Sequence, residues 1–261
     1  MITYARMSNQ EWDGASYDRV SGIQQTLGMA VLERLPLSGG ELVIDAGCGS
    51  GRITEALLER LPRGRVIAVD GSPSMAQAAA RRLGGESDPG AHVEIRVGDL
   101  LELSVSEPAD AILSTATFHW ISDHDALFAR LHAALRPGGR LVAQCGGEGN
   151  ITGLRGEVAQ LLARAPCAEH FAAWRAPWNY ASAEQTRERL LGAGFASAEC
   201  WLSPAPSTPE HPREFLSTVV LGPHVQQLPE ELRERFMDDV LALLGEPVVI
   251  DYVRLNIDAV A

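Results

Sequence analysis

With 261 residues, 46% of them apolar and 21% charged, the chain is long enough to bury a core of its own without a disulfide or metal staple. A net charge of −12 leaves no basic face to displace counterions from a nucleic acid or to settle on an anionic membrane, so neither is an expected partner. All 22 basic residues are arginine, which rules out a P-loop lysine, a Schiff-base lysine and a lysine general base.

A polar opening stretch carries Trp12 and Tyr17 and lacks the apolar centre of a signal peptide. Apolar spacing from Ile23 to Leu35 predicts an amphipathic helix, ended by Pro36 and Gly39-Gly40. A strand–helix rhythm follows. Leu42-Val43-Ile44 is a short apolar strand that runs into Asp45 and a Gly-rich turn, and a helix is predicted from Arg52 to Leu61. Arg65 to Asp70 reads as the second strand, Pro73 to Leu83 as a helix, His92 to Val97 as the third strand and Ala109 to Ser114 as the fourth. A helix from Asp123 to Leu135 leads through Pro137-Gly138-Gly139 to a fifth strand, Arg140 to Gln144. Beyond it lie an aromatic segment, a helix from Glu184 to Leu191, a sixth strand from Ser197 to Leu202, a Pro-rich link, a two-helix stretch to Leu244 and a last strand from Val248 to Val260. Short, nearly continuous apolar strands separated by helices predict a doubly wound α/β sheet covered on both faces, with the ligand at the carboxyl ends of the strands.

The segment Val43-Ile44-Asp45-Ala46-Gly47-Cys48-Gly49-Ser50-Gly51 follows a strand and opens a helix. A Gly-rich turn of this kind serves several nucleotide cofactors, but three details narrow the choice. Arg52 stands where a dinucleotide fingerprint needs its last glycine. Asp45 would repel a pyrophosphate and suits a cationic amino group. Asp70 ends the second strand about 20 residues on, where an acid binds ribose hydroxyls. Asp99, just after the third strand, is a candidate acceptor for an adenine amino group or, more plainly, a helix cap. A NAD-dependent oxidoreductase fits these residues poorly.

Together with Asp70-Gly71-Ser72-Pro73-Ser74-Met75, Gly98-Asp99-Leu100, Phe118 to His124 and Leu135 to Leu141, these motifs resemble the class I S-adenosylmethionine (SAM)-dependent methyltransferases. The similarity is greatest to the small-molecule group that includes trans-aconitate and malonyl-carrier-protein methyltransferases. The resemblance implies one domain over 1–261 with a seven-stranded, mostly parallel sheet, an antiparallel last strand and helical lid insertions. Within it, 1–36 would be N-terminal lid helices, 37–145 the SAM-binding core, and 146–180 and 204–246 substrate-side insertions. It implies that Asp45, Gly47 and Gly49 contact the methionine end of SAM and that Asp70 holds the ribose. Ser72 and Met75 would lie against ribose and adenine, Asp99 and Leu100 would hold the adenine, and Thr115 and Trp120 would line the transfer region. Tyr17 and Gln24 would close over the cofactor.

For the acceptor, Phe118, Trp174, Trp178 and Tyr180 are candidate pocket walls with Tyr17 on the lid, and Arg175 is a candidate grip for a carboxylate or else a surface arginine. His119 is the candidate general base, with packing as its alternative role, whereas His124, beside Asp123 and Asp125, reads as solvated. No residue spacing suggests a metal site. The four separated cysteines read as buried thiols of a cytoplasmic protein. The leading expectation is O-methylation of a small molecule, with a carboxylate as one acceptor class. N- or C-methylation of a small natural product and SAM binding without transfer are the alternatives, and the oligomeric state stays open.

Overall fold

A computed structural model describes residues 14–84 and 92–261, so Trp12 lies outside the described residues. Two helices, α1 (Gly14–Val20) and α2 (Gly22–Arg34), precede β1 (Leu42–Ala46), all five of whose residues are buried. Then come α3 (Arg52–Glu59), β2 (Arg65–Asp70), α4 (Pro73–Leu83), β3 (Val93–Val97), β4 (Ala109–Thr115), α5 (His124–Ala134) and β5 (Leu135–Gly146). The start of α4 shows why these boundaries are local. The Ser72 hydroxyl accepts from the Met75 amide, Pro73 stands in the first turn, and Gly84 ends the helix in the left-handed region at φ 92°.

Strand order is β3-β2-β1-β4-β5-β7-β6, where β6 is Ser197–Pro204 and β7 is Val253–Val260. Pairing is parallel from β3 across to β5, and β7 runs antiparallel to both of its neighbours. The fold class read from the sequence is therefore the one observed. The order reverses between β1 and β4, which opens a crevice at their carboxyl ends. The predicted last strand begins later than expected. Val248 to Tyr252 precede it, with only an isolated bridge from Ile250 to Ser207.

The sheet buries one apolar layer under α5 and α8 (Ala183–Gly192) and another under α2 and α3. A third apolar cluster lies off the sheet. It joins α6 (Thr152–Leu162) and α7 (Ala168–Phe171) to α9 (Pro212–Phe215), α10 (Gly222–Gln227) and α11 (Glu230–Leu244) through Leu154, Val158, Phe215, Phe236 and Val240. The expected two-helix stretch is thus three helices, with a π-helical turn over Leu216–Val220 between the first two. No described helix is long and apolar enough to cross a membrane.

Candidate active site

The turn after β1 is set by glycines in the left-handed region. Gly47 has φ 85°, and a Cβ there would overlap the Thr117 side chain. The Gly47 and Cys48 amides both donate to the Val69 carbonyl, at 2.8 and 3.0 Å, which folds the turn over the end of β2. At Gly49, φ is 56° and a Cβ would enter open space.

Asp45 is 1% exposed. Its Oδ2 accepts from the Thr54 hydroxyl at 2.7 Å, while Oδ1 is buried with no partner. Burial raises its pKa from 3.8 to about 6. Asp70 ties two loops together: Oδ2 accepts from the Gly49 amide and Oδ1 from the Ser72 amide, each at 2.8 Å. Burial raises its pKa as well, against the lowering effect of those two bonds. Ser72 and Met75 are buried beside it. Asp99 takes the role of a cap, accepting from the Leu101 amide at 2.9 Å, and Leu100 points into the core.

α1 is clasped to this turn through Asp18. Its carboxylate accepts from the Ser50 hydroxyl, from Arg52 Nε at 3.2 Å and from Arg82 at 2.6 Å, while Arg52 also donates to the Asp18 carbonyl at 2.5 Å. The arginine at the position where a dinucleotide site needs glycine is therefore used to hold the helix that carries Tyr17.

Beside the turn lies a cleft that is partly open to solvent. Tyr17, Gln24, Trp120, Trp178 and Tyr180 line it. His119 lines it too, but its chemistry differs from expectation. The Gly146 amide can only donate, so His119 Nδ1 accepts that bond at 3.3 Å and the ring proton belongs on Nε2. Burial, and then the nearby Arg254 cation, push its pKa well below the usual histidine value. The imidazole is a neutral donor whose lone pair is already committed, not a free base.

Several expected residues stand elsewhere. Phe118 is in the core, edge-on to Phe128 with centroids 6.1 Å apart. Trp174 packs on His224 and Phe171, outside the cleft lining. Arg175 is exposed and donates to the carbonyl of Trp174, so it does not grip the cleft. Thr115 ends β4 without reaching the lining, and Ala116, forced to φ 57°, takes that place. His124 is buried rather than solvated, because its Nε2 is held 2.9 Å from the Phe118 carbonyl.

The sequence reading missed Asn150, Tyr252 and Arg254, all in the lining. Arg254 shares the polar register of Asn256 and Asp258 in β7, opposite the core-facing Leu255, Ile257 and Ala259, so the strand pattern alone did not mark it. Among the described residues no cluster of His, Cys, Asp and Glu could hold a metal. The four cysteines are free thiols, and Cys200 is only partly buried.

Residues 43–139 match a family described as a methyltransferase domain. Trans-aconitate 2-methyltransferase of Variovorax paradoxus is 31% identical over 260 residues, covering 94% of this chain and 94% of its own length. The protein of the same name from Methylobacterium nodulans is 31% identical over 198 residues, 76% of this chain and 69% of its own. Among solved structures, phosphoethanolamine N-methyltransferase 2 of Haemonchus contortus, with phosphomonomethylethanolamine and S-adenosylhomocysteine, superposes with a TM-score of 0.61 at 21% identity. That superposition covers 95% of this chain and 56% of the other, and the likeness is one of fold.

Proposed function

We propose, since the chain belongs to the class I SAM-dependent methyltransferases, that it esterifies one carboxylate of a small organic acid. The observation that carries this reading is the chemistry of the cleft. Its described lining offers neutral hydrogen-bonding groups and one cation, with no carboxylate side chain and no uncommitted imidazole lone pair. A hydroxyl or ammonium acceptor needs a base to take its proton, whereas a carboxylate is already ionised at neutral pH. The name shared by the two relatives above points to the same acceptor class.

The residues around the turn suit SAM. Asp45 Oδ1 is a buried acceptor awaiting a donor, as the α-ammonium of a methionine moiety requires, and the open space over Gly49 leaves room for the chain beside it. In this reading Asp45, Gly47 and Gly49 hold the amino-acid end and Asp70 the ribose. Ser72, Met75 and Asp99 border the nucleoside. Bound there, SAM supplies a methyl group on a sulfonium, an electrophile that needs no activation by the protein. The protein's work is to position the acceptor and exclude water. His119 Nε2–H donates to the acceptor oxygen, and the Trp120 and Tyr180 rings, 5.1 and 5.8 Å from the imidazole, fix its plane. Tyr17 and Gln24 cover the site from α1 and α2, and Gln24 is braced on the Tyr252 hydroxyl at 3.3 Å.

Purified protein supplied with methyl-labelled SAM and trans-aconitate is expected to yield a product that releases labelled methanol in mild base. Label that survives base would replace the ester with an amine, hydroxyl or carbon acceptor. The clasp gives a second expectation. Asp18→Ala frees Ser50, Arg52 and Arg82 together, and loss of partly buried charged bonds worth about 1–2 kcal/mol should raise the KM for SAM roughly 5- to 30-fold. An unchanged KM would show that α1 is held by other contacts.

A further inference from the structure

We propose that Arg254 takes a second, non-reacting carboxylate of the acceptor, so that the substrate is at least a diacid and the product a monoester. This rests on carboxylate esterification as proposed above and adds the residue that selects the acid.

Arg254 is 5% exposed, yet among the described residues no carboxylate lies within ion-pair distance of it. Its contacts are with neutral groups. Nε is 3.4 Å from Gln144 Oε1, and the guanidinium carbon is 5.6 Å from the centre of the Tyr252 ring. A buried cation without an anion is costly, and folding tolerates it where a ligand later supplies the charge. The guanidinium belongs to the cleft lining together with His119, so both would address one acceptor molecule.

The orientation of Arg254 is fixed from outside the cleft. Arg34 can only donate, and its Nη1 lies 2.7 Å from Asn256 Oδ1, which settles how that amide faces. Gln144 Nε2 must then be the donor to the same oxygen, at 2.8 Å. Its Oε1 is left to face Arg254. Asn256 Nδ2 donates to the Ser203 hydroxyl at 3.0 Å and completes the chain across β5, β7 and β6. Each link forces the next, so Nε is turned to the sheet and the rest of the fork is left for a ligand.

The carboxylate so held is not the one methylated. A bidentate arginine pair occupies the lone pairs of a carboxylate and neutralises its charge, which makes it a poor nucleophile. The attacking oxygen therefore belongs to another carboxylate, held by the neutral donors of the same cleft. One C–O bond forms as the sulfonium C–S bond breaks, and no proton moves.

The test is calorimetric titration of trans-aconitate and of crotonate, a monoacid, into the full chain saturated with S-adenosylhomocysteine, for the wild type, Arg254→Met and Arg254→Lys. The wild type should prefer the triacid by at least roughly 30-fold, Arg254→Met should lose that preference, and Arg254→Lys should keep part of it. The melting temperature of Arg254→Met without ligand should not fall, because the substitution removes an uncompensated charge, whereas a purely structural arginine would leave the variant less stable. Equal affinity of the wild type for the two acids, or triacid affinity in Arg254→Met within threefold of wild type, would overturn the proposal. Selective binding with no base-labile ester would sink the esterification reading and leave Arg254 as the anion site. Ester formation unaffected by Arg254→Met would do the reverse.

Discussion

Asp45→Asn is expected to weaken cofactor binding and stabilise the empty protein at the same time. The folded-state pKa of Asp45 is raised from 3.8 to about 6, so the ionised carboxylate is a strain on the fold that is absent at low pH and complete above about pH 6. That shift corresponds to about 3 kcal/mol. Asparagine keeps an oxygen for the Thr54 hydroxyl and removes the charge, so the melting temperature should rise by several degrees at pH 8 and by nothing near pH 4. In the proposed cofactor site the same charge pairs with the ammonium of S-adenosylhomocysteine, and its loss should cost about 1.5–3 kcal/mol of binding, a 10- to 150-fold weaker Kd. Wild-type affinity should itself fall as the pH drops below about 6, where the carboxyl takes up its proton. Melting curves with and without S-adenosylhomocysteine between pH 4 and 8 report all three effects. A variant less stable at pH 8 would contradict the reading.

Asp70→Asn should have the other large effect, for a different reason. Both oxygens of Asp70 accept backbone amides, from Gly49 and from Ser72. An amide side chain has one oxygen, so its NH2 must face one of those N–H groups, and either the Gly-rich turn or the start of α4 is left with an unmet donor. With the proposed ribose contact also weakened, SAM affinity should drop about 100-fold or more, roughly 3 kcal/mol. Asp99→Asn is the matched comparison. Its Oδ1 serves one amide, Leu101, and asparagine can keep that cap, so the change should stay within about tenfold. Calorimetric Kd values for the two variants test the ranking, and equal losses would remove the special status of Asp70.

The parts of the protein legible in its sequence are those that local chemistry decides. β1 and β2 are buried on both faces and read as apolar runs, and α4 carries its own cap, proline and terminal glycine within thirteen residues. The Gly-rich turn, Asp70 and Ser72 lie at strand ends, so knowing the strands nearly places them. The acceptor side has no such shortcut. Arg175 between two tryptophans suggested a grip, but the chain turns it outward, while Arg254, about 80 residues later, enters the cleft because β7 inserts beside β5. His124 between two aspartates suggested solvent, yet the short 3-10 turn over Phe118–Trp120 swings a carbonyl to its ring. His119 lies in the cleft lining, but its tautomer depends on an amide at Gly146, which no inspection of neighbours in sequence supplies.

The place of β7 has a consequence for how the molecule is made. β5 and β6 are not neighbours in the sheet, because β7, which follows both in sequence, lies between them. While the ribosome is still short of residue 253, β1 to β5 can already pair, but β6 has no sheet to join and β5 shows an open edge to other chains. The β1–β5 part of the sheet can thus assemble during translation. The rest of the sheet waits for a strand to slide between two neighbours and pair with both, a non-local step of the kind that slows folding. The cleft, which takes Arg254 from that last-placed strand, is therefore completed only after β1 to β5 can pair.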